Sequence, residues 1–132
     1  MCLNLLPLLS AMFIAQAILA QTALAGEPMK AADIKRDIIG RRIYLAAPLG
    51  GELPLYFRRD GHVDGSGDAL GLGKLFRPND TGKWWIAGNR LCEQFTTWYD
   101  GAQLCFDLER TSPKTVFWRQ NNGQTGTARI GD

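Results

Sequence analysis

The 132-residue chain is short of the parts that enzymes are made from. It has one histidine, His62, and three cysteines, none of them in a Cys-x-x-Cys pair. It also lacks Gly-x-Ser-x-Gly, His-Glu-x-x-His, a phosphate-binding loop and a dinucleotide fingerprint. These gaps argue against serine hydrolase, zinc protease, nucleotide and most redox chemistry. Charge of one sign is missing too: fifteen Lys and Arg stand against thirteen Asp and Glu. The doublets Lys35-Arg36, Arg41-Arg42 and Arg58-Arg59 are interspersed with Asp33, Asp37, Glu52 and Asp60, which reads as a solvated mixed surface rather than a nucleic-acid stripe. No repeat of 20 to 50 residues occurs.

The first 25 residues contain no charged side chain and close on Ala23-Leu24-Ala25. An apolar run ending in a small-x-small triplet is the signature of a secretory signal peptide, so residues 1–25 are expected to be removed. A run of this length without a basic start could instead be retained as a membrane anchor. Pro7, Gln16 and Gln21 interrupt it and favour cleavage. The mature part, residues 26–132, is then one periplasmic or secreted domain that meets the membrane only transiently during export. Cys92 and Cys105 remain as an even pair in an oxidising compartment, where a disulfide is expected. A metal site is not expected from two cysteines with no histidine nearby.

Along the mature chain the apolar period changes once. In "MKAADIKRDIIG", Ala31, Ile34 and Ile38 share a helical face and Gly40 stands where a left-handed cap falls. After it come "RRIYLA", "PLYFRR", "HVDGS", "KWWIA", "RLCEQFT", "QLCFDLER", "TVFWRQ" and "TGTARI", separated by Gly, Asn, Asp and Pro turns. The expected fold is therefore mainly β: an antiparallel meander of about eight strands with one short N-terminal helix, closed as a small lipocalin-like barrel or left as a strongly bent sheet. The loose segment, residues 65–82, is the candidate lid.

Register follows from a two-residue turn at Gly88-Asn89, which pairs Ile86 with Leu91, Trp85 with Cys92 and Trp84 with Glu93. Placing Cys92 opposite Cys105 then pairs Leu91 with Phe106, Glu93 with Leu104 and Phe95 with Ala102. One face collects Trp84, Ile86, Leu91, Phe95, Leu104, Phe106 and Leu108 as core. The other carries Lys83, Trp85, the disulfide, Gln94, Asp107 and Glu109.

The helix ending in glycine, "YFRRDG", "GKWWI", "NRLC" and the second cysteine in "QLCFDL" resemble a group of small exported alphaproteobacterial domains of unassigned function, over roughly residues 31–130. The same motifs are similar to the lipocalin-like barrels of periplasmic inhibitors of secreted alkaline metalloproteases. That resemblance implies structural parts for Gly82-x-Trp84 and for the cysteine pair. The spacing of the two cysteines is shorter here, and "GEPMK" does not match the free trunk that such inhibitors insert into the protease.

Several residues are candidates for function. Glu93 falls on the apolar face, where a lone carboxylate is costly. Either an arginine meets it inside, or it is the polar anchor of a ligand cavity, or the register slips by one. His62 follows a turn and reads as a solvated turn residue. Asp60, Asp64, Ser66 and Asp68 alternate as calcium ligands do, without the glycine and glutamate of a helix-loop-helix site. Asp107 and Glu109 read as an exposed strand edge rather than a catalytic pair. The expectation is a non-enzymatic exported binding or interaction domain, protein-binding or envelope-associated, with no cofactor, its partner an unknown protein or a small apolar ligand. A protein partner would meet Trp98, Tyr99, Arg58 and Arg59, aromatic and arginine side chains of the kind that anchor interfaces. The alternatives are inhibition of a secreted protease or a lipocalin-type small-ligand site at one barrel mouth, formed by Trp84, Glu93, Phe95 and Trp118 under the residues 65–82 loop.

Overall fold

A sheet of eight short, half-apolar strands twists, and it can hide its oily face by curling until its two edges meet. The computed structural model, which describes residues 26–47, 50–67 and 79–132, has this closure. A two-residue strand β1 (Glu27–Pro28) and a helix α1 (Ala31–Asp37) come first. They are followed by β2 (Arg42–Ala46), β3 (Glu52–Phe57), β4 (His62–Ser66) and β5 (Asn79–Ala87). The chain ends with β6 (Arg90–Phe95), β7 (Leu104–Ser112), β8 (Thr115–Gln120) and β9 (Thr125–Ile130). From β2 onward each strand is antiparallel to the next, and β9 returns to β2 through Ile43 opposite Ile130 and Leu45 opposite Ala128. The fold is a closed, eight-stranded up-and-down barrel, with β1 added beside β7.

The register read from the turn at Gly88-Asn89 holds: Trp84 faces Glu93, Trp85 faces Cys92 and Ile86 faces Leu91. Cys92 lies opposite Cys105 and is bonded to it. Leu91, Phe95, Leu104 and Leu108 are buried, with Trp84, Ile86 and Phe106 packed against the core. The disulfide stands on the outer face of the barrel wall, yet Cys92 is fully covered. Phe95 and Ala102 do not continue the ladder, because the chain leaves β6 through a 3-10 turn, Trp98–Gly101.

Two segments differ from the sequence expectation. β5 begins at Asn79 rather than Lys83, so residues 79–82 of the expected lid are strand paired with β4, Thr81 opposite Asp64. Asp80 holds that start in place through side-chain hydrogen bonds that no apolar alternation announces. β1 is too short to carry a periodic signal. The rest of the expected lid lies largely outside the described residues, as do the expected signal peptide and Asp68.

The two barrel ends differ. Helix α1 closes one of them with Ile34 and Ile38, both buried, and Met29 and Ile39 complete the plug. Its docking is fixed at both ends: the Ala31 N–H donates to Asn89 Oδ1 at 3.1 Å, and Arg110 reaches Asp37 at 2.6 Å. After the helix, Gly40 (φ +82°) takes the left-handed turn into β2 and donates its N–H to the Phe57 carbonyl. The other end carries the connections β2–β3, β4–β5, β6–β7 and β8–β9, and no helix covers it among the described residues.

The disulfide ties neighbouring strands across a separation of 13 residues. Replacing both cysteines with alanine is expected to cost about 3 kcal/mol of unfolding free energy by the loss of loop closure in the unfolded chain. Urea denaturation of the oxidised and double-alanine proteins measures the difference.

Candidate functional site

Among the described residues, the end opposite the helix opens into the barrel. The interior has two levels. Deepest is a chamber of about 40 Å³ walled by aliphatic and aromatic side chains that include Ile43, Leu55, Leu91, Leu108 and Val116. Above it lies a mouth of about 670 Å³ bounded by Ala47, Leu53, Tyr99, Leu104, Gln120, Gln124, Thr125 and Thr127. Leu45, Glu93, Phe106 and Trp118 border both spaces and form the throat between them.

Glu93 reaches the throat because residues 91, 93 and 95 of β6 share the inward face. The register has not slipped, and among the described residues no arginine meets it, which leaves the reading as a polar anchor. Its side chain is 3 % exposed, and Oε2 has no hydrogen-bond partner among the described residues. Burial pushes its pKa up to about 8, so at neutral pH it is mainly a carboxylic acid, able both to donate and to accept a hydrogen bond. Trp118 brings a second unmatched polar atom, Nε1, to the same throat. Its indole packs edge-on to Phe106, centroids 5.7 Å apart, and occupies space that Gly126 leaves open: a Cβ there would sit 2.4 Å from Cζ2.

The rim is shaped by the turn after β6. Asp80 Oδ2 accepts hydrogen bonds from the backbone N–H groups of Thr97 and Trp98 at 2.7 and 2.8 Å. Burial alone would raise the Asp80 pKa, but these bonds together with that from Thr81 hold it below the usual carboxylate range. The clamp supports two consecutive left-handed residues, Tyr99 (φ 56°) and Asp100 (φ 54°), a conformation costing roughly 1–2 kcal/mol for each non-glycine residue. Tyr99 is thereby set on the rim, where its surroundings and the Glu93 charge raise its phenol pKa.

Of the four sequence-derived ligand residues, the structure brings Glu93 and Trp118 together. Trp84 stands opposite Glu93 in the ladder but turns its side chain toward the helix end, its indole N–H donating to the Arg58 carbonyl at 2.7 Å. Phe95 is buried against Trp98, centroids 5.1 Å apart. The four interaction residues are divided between opposite ends. Trp98 folds onto Gly65, where a Cβ would meet its ring at 2.2 Å, and not onto the helix. Arg58, in contrast, faces Asp60 and Asp64 at 3.7 and 3.3 Å, and Arg59 lies over Gly40. His62 is exposed beside Asp60. Asp107 pairs with Arg90. No group of three metal-ligating side chains assembles among the described residues. Leu45, Leu53 and Gln120 line the site although no sequence signal singled them out; they arrive through closure of β9 on β2 and the fold of β8.

Comparison with family models, curated proteins and solved structures finds no match to the chain. The site is therefore read from its own chemistry.

Glu93 binds its proton more tightly in the folded protein than in the unfolded chain. Between about pH 4.5 and about pH 8 the unfolded chain has released a proton that the folded one keeps, so stability falls as pH rises through this window. Below it the stabilisation is complete, and above it the loss is constant. Glu93→Gln is expected to flatten the fall and to raise stability near pH 8 by a few kcal/mol, read from urea melts at successive pH values. Trp98→Ala should lower stability by about 2 kcal/mol, on the order of 10 °C in Tm, whereas Tyr99→Ala at the half-exposed rim should shift it little. Differential scanning calorimetry of the two variants separates these outcomes.

Proposed function

We propose that the chain is a non-enzymatic, exported binding protein that takes a small, mainly apolar ligand into the barrel mouth. The observation that carries this reading is Glu93: a carboxyl buried without a partner among the described residues, at the throat of an apolar cavity. An unmatched polar group of this kind costs stability, and a filled structural core has no use for it. A concave apolar site of a few hundred Å³ with one or two fixed polar groups is the usual form of a small-ligand pocket, and the mouth has that form. The disulfide is consistent with an oxidising compartment. A protein-docking patch built from Trp98, Tyr99, Arg58 and Arg59 draws no comparable support, since those residues sit at opposite ends of the barrel.

The test uses N-phenyl-1-naphthylamine, a neutral apolar fluorophore, titrated into the oxidised full domain. Saturable enhancement at one site per chain is expected. Leu53→Trp, which fills the mouth without touching the throat, should weaken it at least tenfold at unchanged Tm. The absence of saturable enhancement in the parent protein, or full binding by the filled variant, would overturn the reading.

A further inference from the structure

The throat carries chemistry more specific than an apolar cavity. Glu93 and Trp118 border both the inner chamber and the mouth, and each carries a buried polar atom, Oε2 and Nε1, that has no partner among the described residues. The inner chamber, at about 40 Å³, admits a head group but not a ring or chain. The mouth, at about 670 Å³, has room for the remainder. We propose that the ligand is an uncharged amphiphile whose terminal hydroxyl is held at the throat by Glu93 and Trp118 while its apolar body fills the mouth.

This rests on the small-ligand reading and adds the chemistry of the head. The indole N–H can only donate, so the head must accept. A cationic amine has nothing to offer Trp118 and would require Glu93 to ionise within an aliphatic and aromatic wall. A carboxylate could accept from both groups but would bring a full negative charge into the same wall without a cation; among the described residues no Lys or Arg borders either space. A hydroxyl accepts from Trp118 and both donates to and accepts from the carboxylic acid, so all three groups are satisfied without a buried charge. Glu93 held protonated by burial is the form that this exchange requires.

The experiment is displacement of N-phenyl-1-naphthylamine at pH 6.5 by four probes of one chain length: 1-octanol, octylammonium, octanoate and 1-chlorooctane. Octanol is expected to compete at least tenfold better than each of the other three, a factor the size of one buried hydrogen bond. Trp118→Phe and Glu93→Leu should each reduce octanol affinity about tenfold and leave 1-chlorooctane unchanged, while Glu93→Gln, still donor and acceptor, should keep octanol within about threefold. Stronger competition by octylammonium would show that Glu93 works as an anion and would overturn the proposal. Equal competition by all four probes would overturn the hydroxyl head while leaving the apolar site standing. If the fluorophore itself does not bind, the small-ligand reading falls and this proposal with it.

Discussion

The return of β9 to β2 is the contact on which the rest of the molecule depends. Without it, eight short strands form an open ribbon with two unpaired edges and an exposed apolar face. With it, every inward side chain acquires neighbours from strands distant in sequence, as when Ile43 meets Ile130 and Leu45 meets Ala128. Closure also fixes the interior size, since strand number and stagger together set a barrel's diameter. A barrel of eight strands is near the limit at which side chains can fill it, so small differences in residue size decide between a solid core and a cavity. Here Phe57, Val63, Leu91 and the helix residues Ile34 and Ile38 fill one half. Among the described residues, the smaller Ala47, Thr125 and Thr127 leave the other half open.

This asymmetry explains how a buried glutamic acid can be carried. Placed in the packed half, Glu93 would displace an aliphatic side chain and gain nothing for its desolvation. At the throat it costs the fold stability in proportion to pH, and it offers the mouth a directional group that the surrounding Leu and Phe side chains cannot provide. Trp118 combines both roles in one residue, its ring completing the wall against Phe106 and its N–H remaining available. An apolar cavity lined only by hydrocarbon discriminates weakly by shape, whereas unmatched buried donors and acceptors penalise any ligand that fails to satisfy them.

The sequence was most legible where contacts are local. Alternation located the eight strands, and one tight turn at Gly88-Asn89 set the pairing of β5 with β6 and hence, through Cys92 and Cys105, of β6 with β7. These registers need only nearest neighbours along the chain. The site was half legible for the same reason: Glu93 stood out as a charge on an apolar face, but whether it faces arginine, solvent or an empty throat depends on the strands across the barrel. Trp84 and Trp118 look alike in sequence, each an aromatic at an inward position. They part because Trp84, although it stands opposite Glu93 in the ladder, turns its indole to the Arg58 carbonyl, whereas Trp118 shares the throat with Glu93. Arg58 and Trp98 seemed to form one surface only because a linear chain does not show which turns share an end.

The acidic residues Asp80 and Glu93 divide the work at the open end with opposite electrostatic logic. Asp80 spends its charge inside the protein, accepting backbone hydrogen bonds that no neutral side chain would hold as well, and the turn it clamps keeps Tyr99 and Asp100 left-handed. Its contribution is present above the usual carboxylate range and is lost as pH falls through its depressed value. Glu93 is protected by its proton, and its contribution declines as pH rises. The rim is therefore most firmly built where Asp80 is ionised, and the throat is uncharged where Glu93 is protonated. Those conditions overlap from mildly acidic to neutral pH, the range in which a charge-free, directional throat beneath a fixed rim can exist in this barrel.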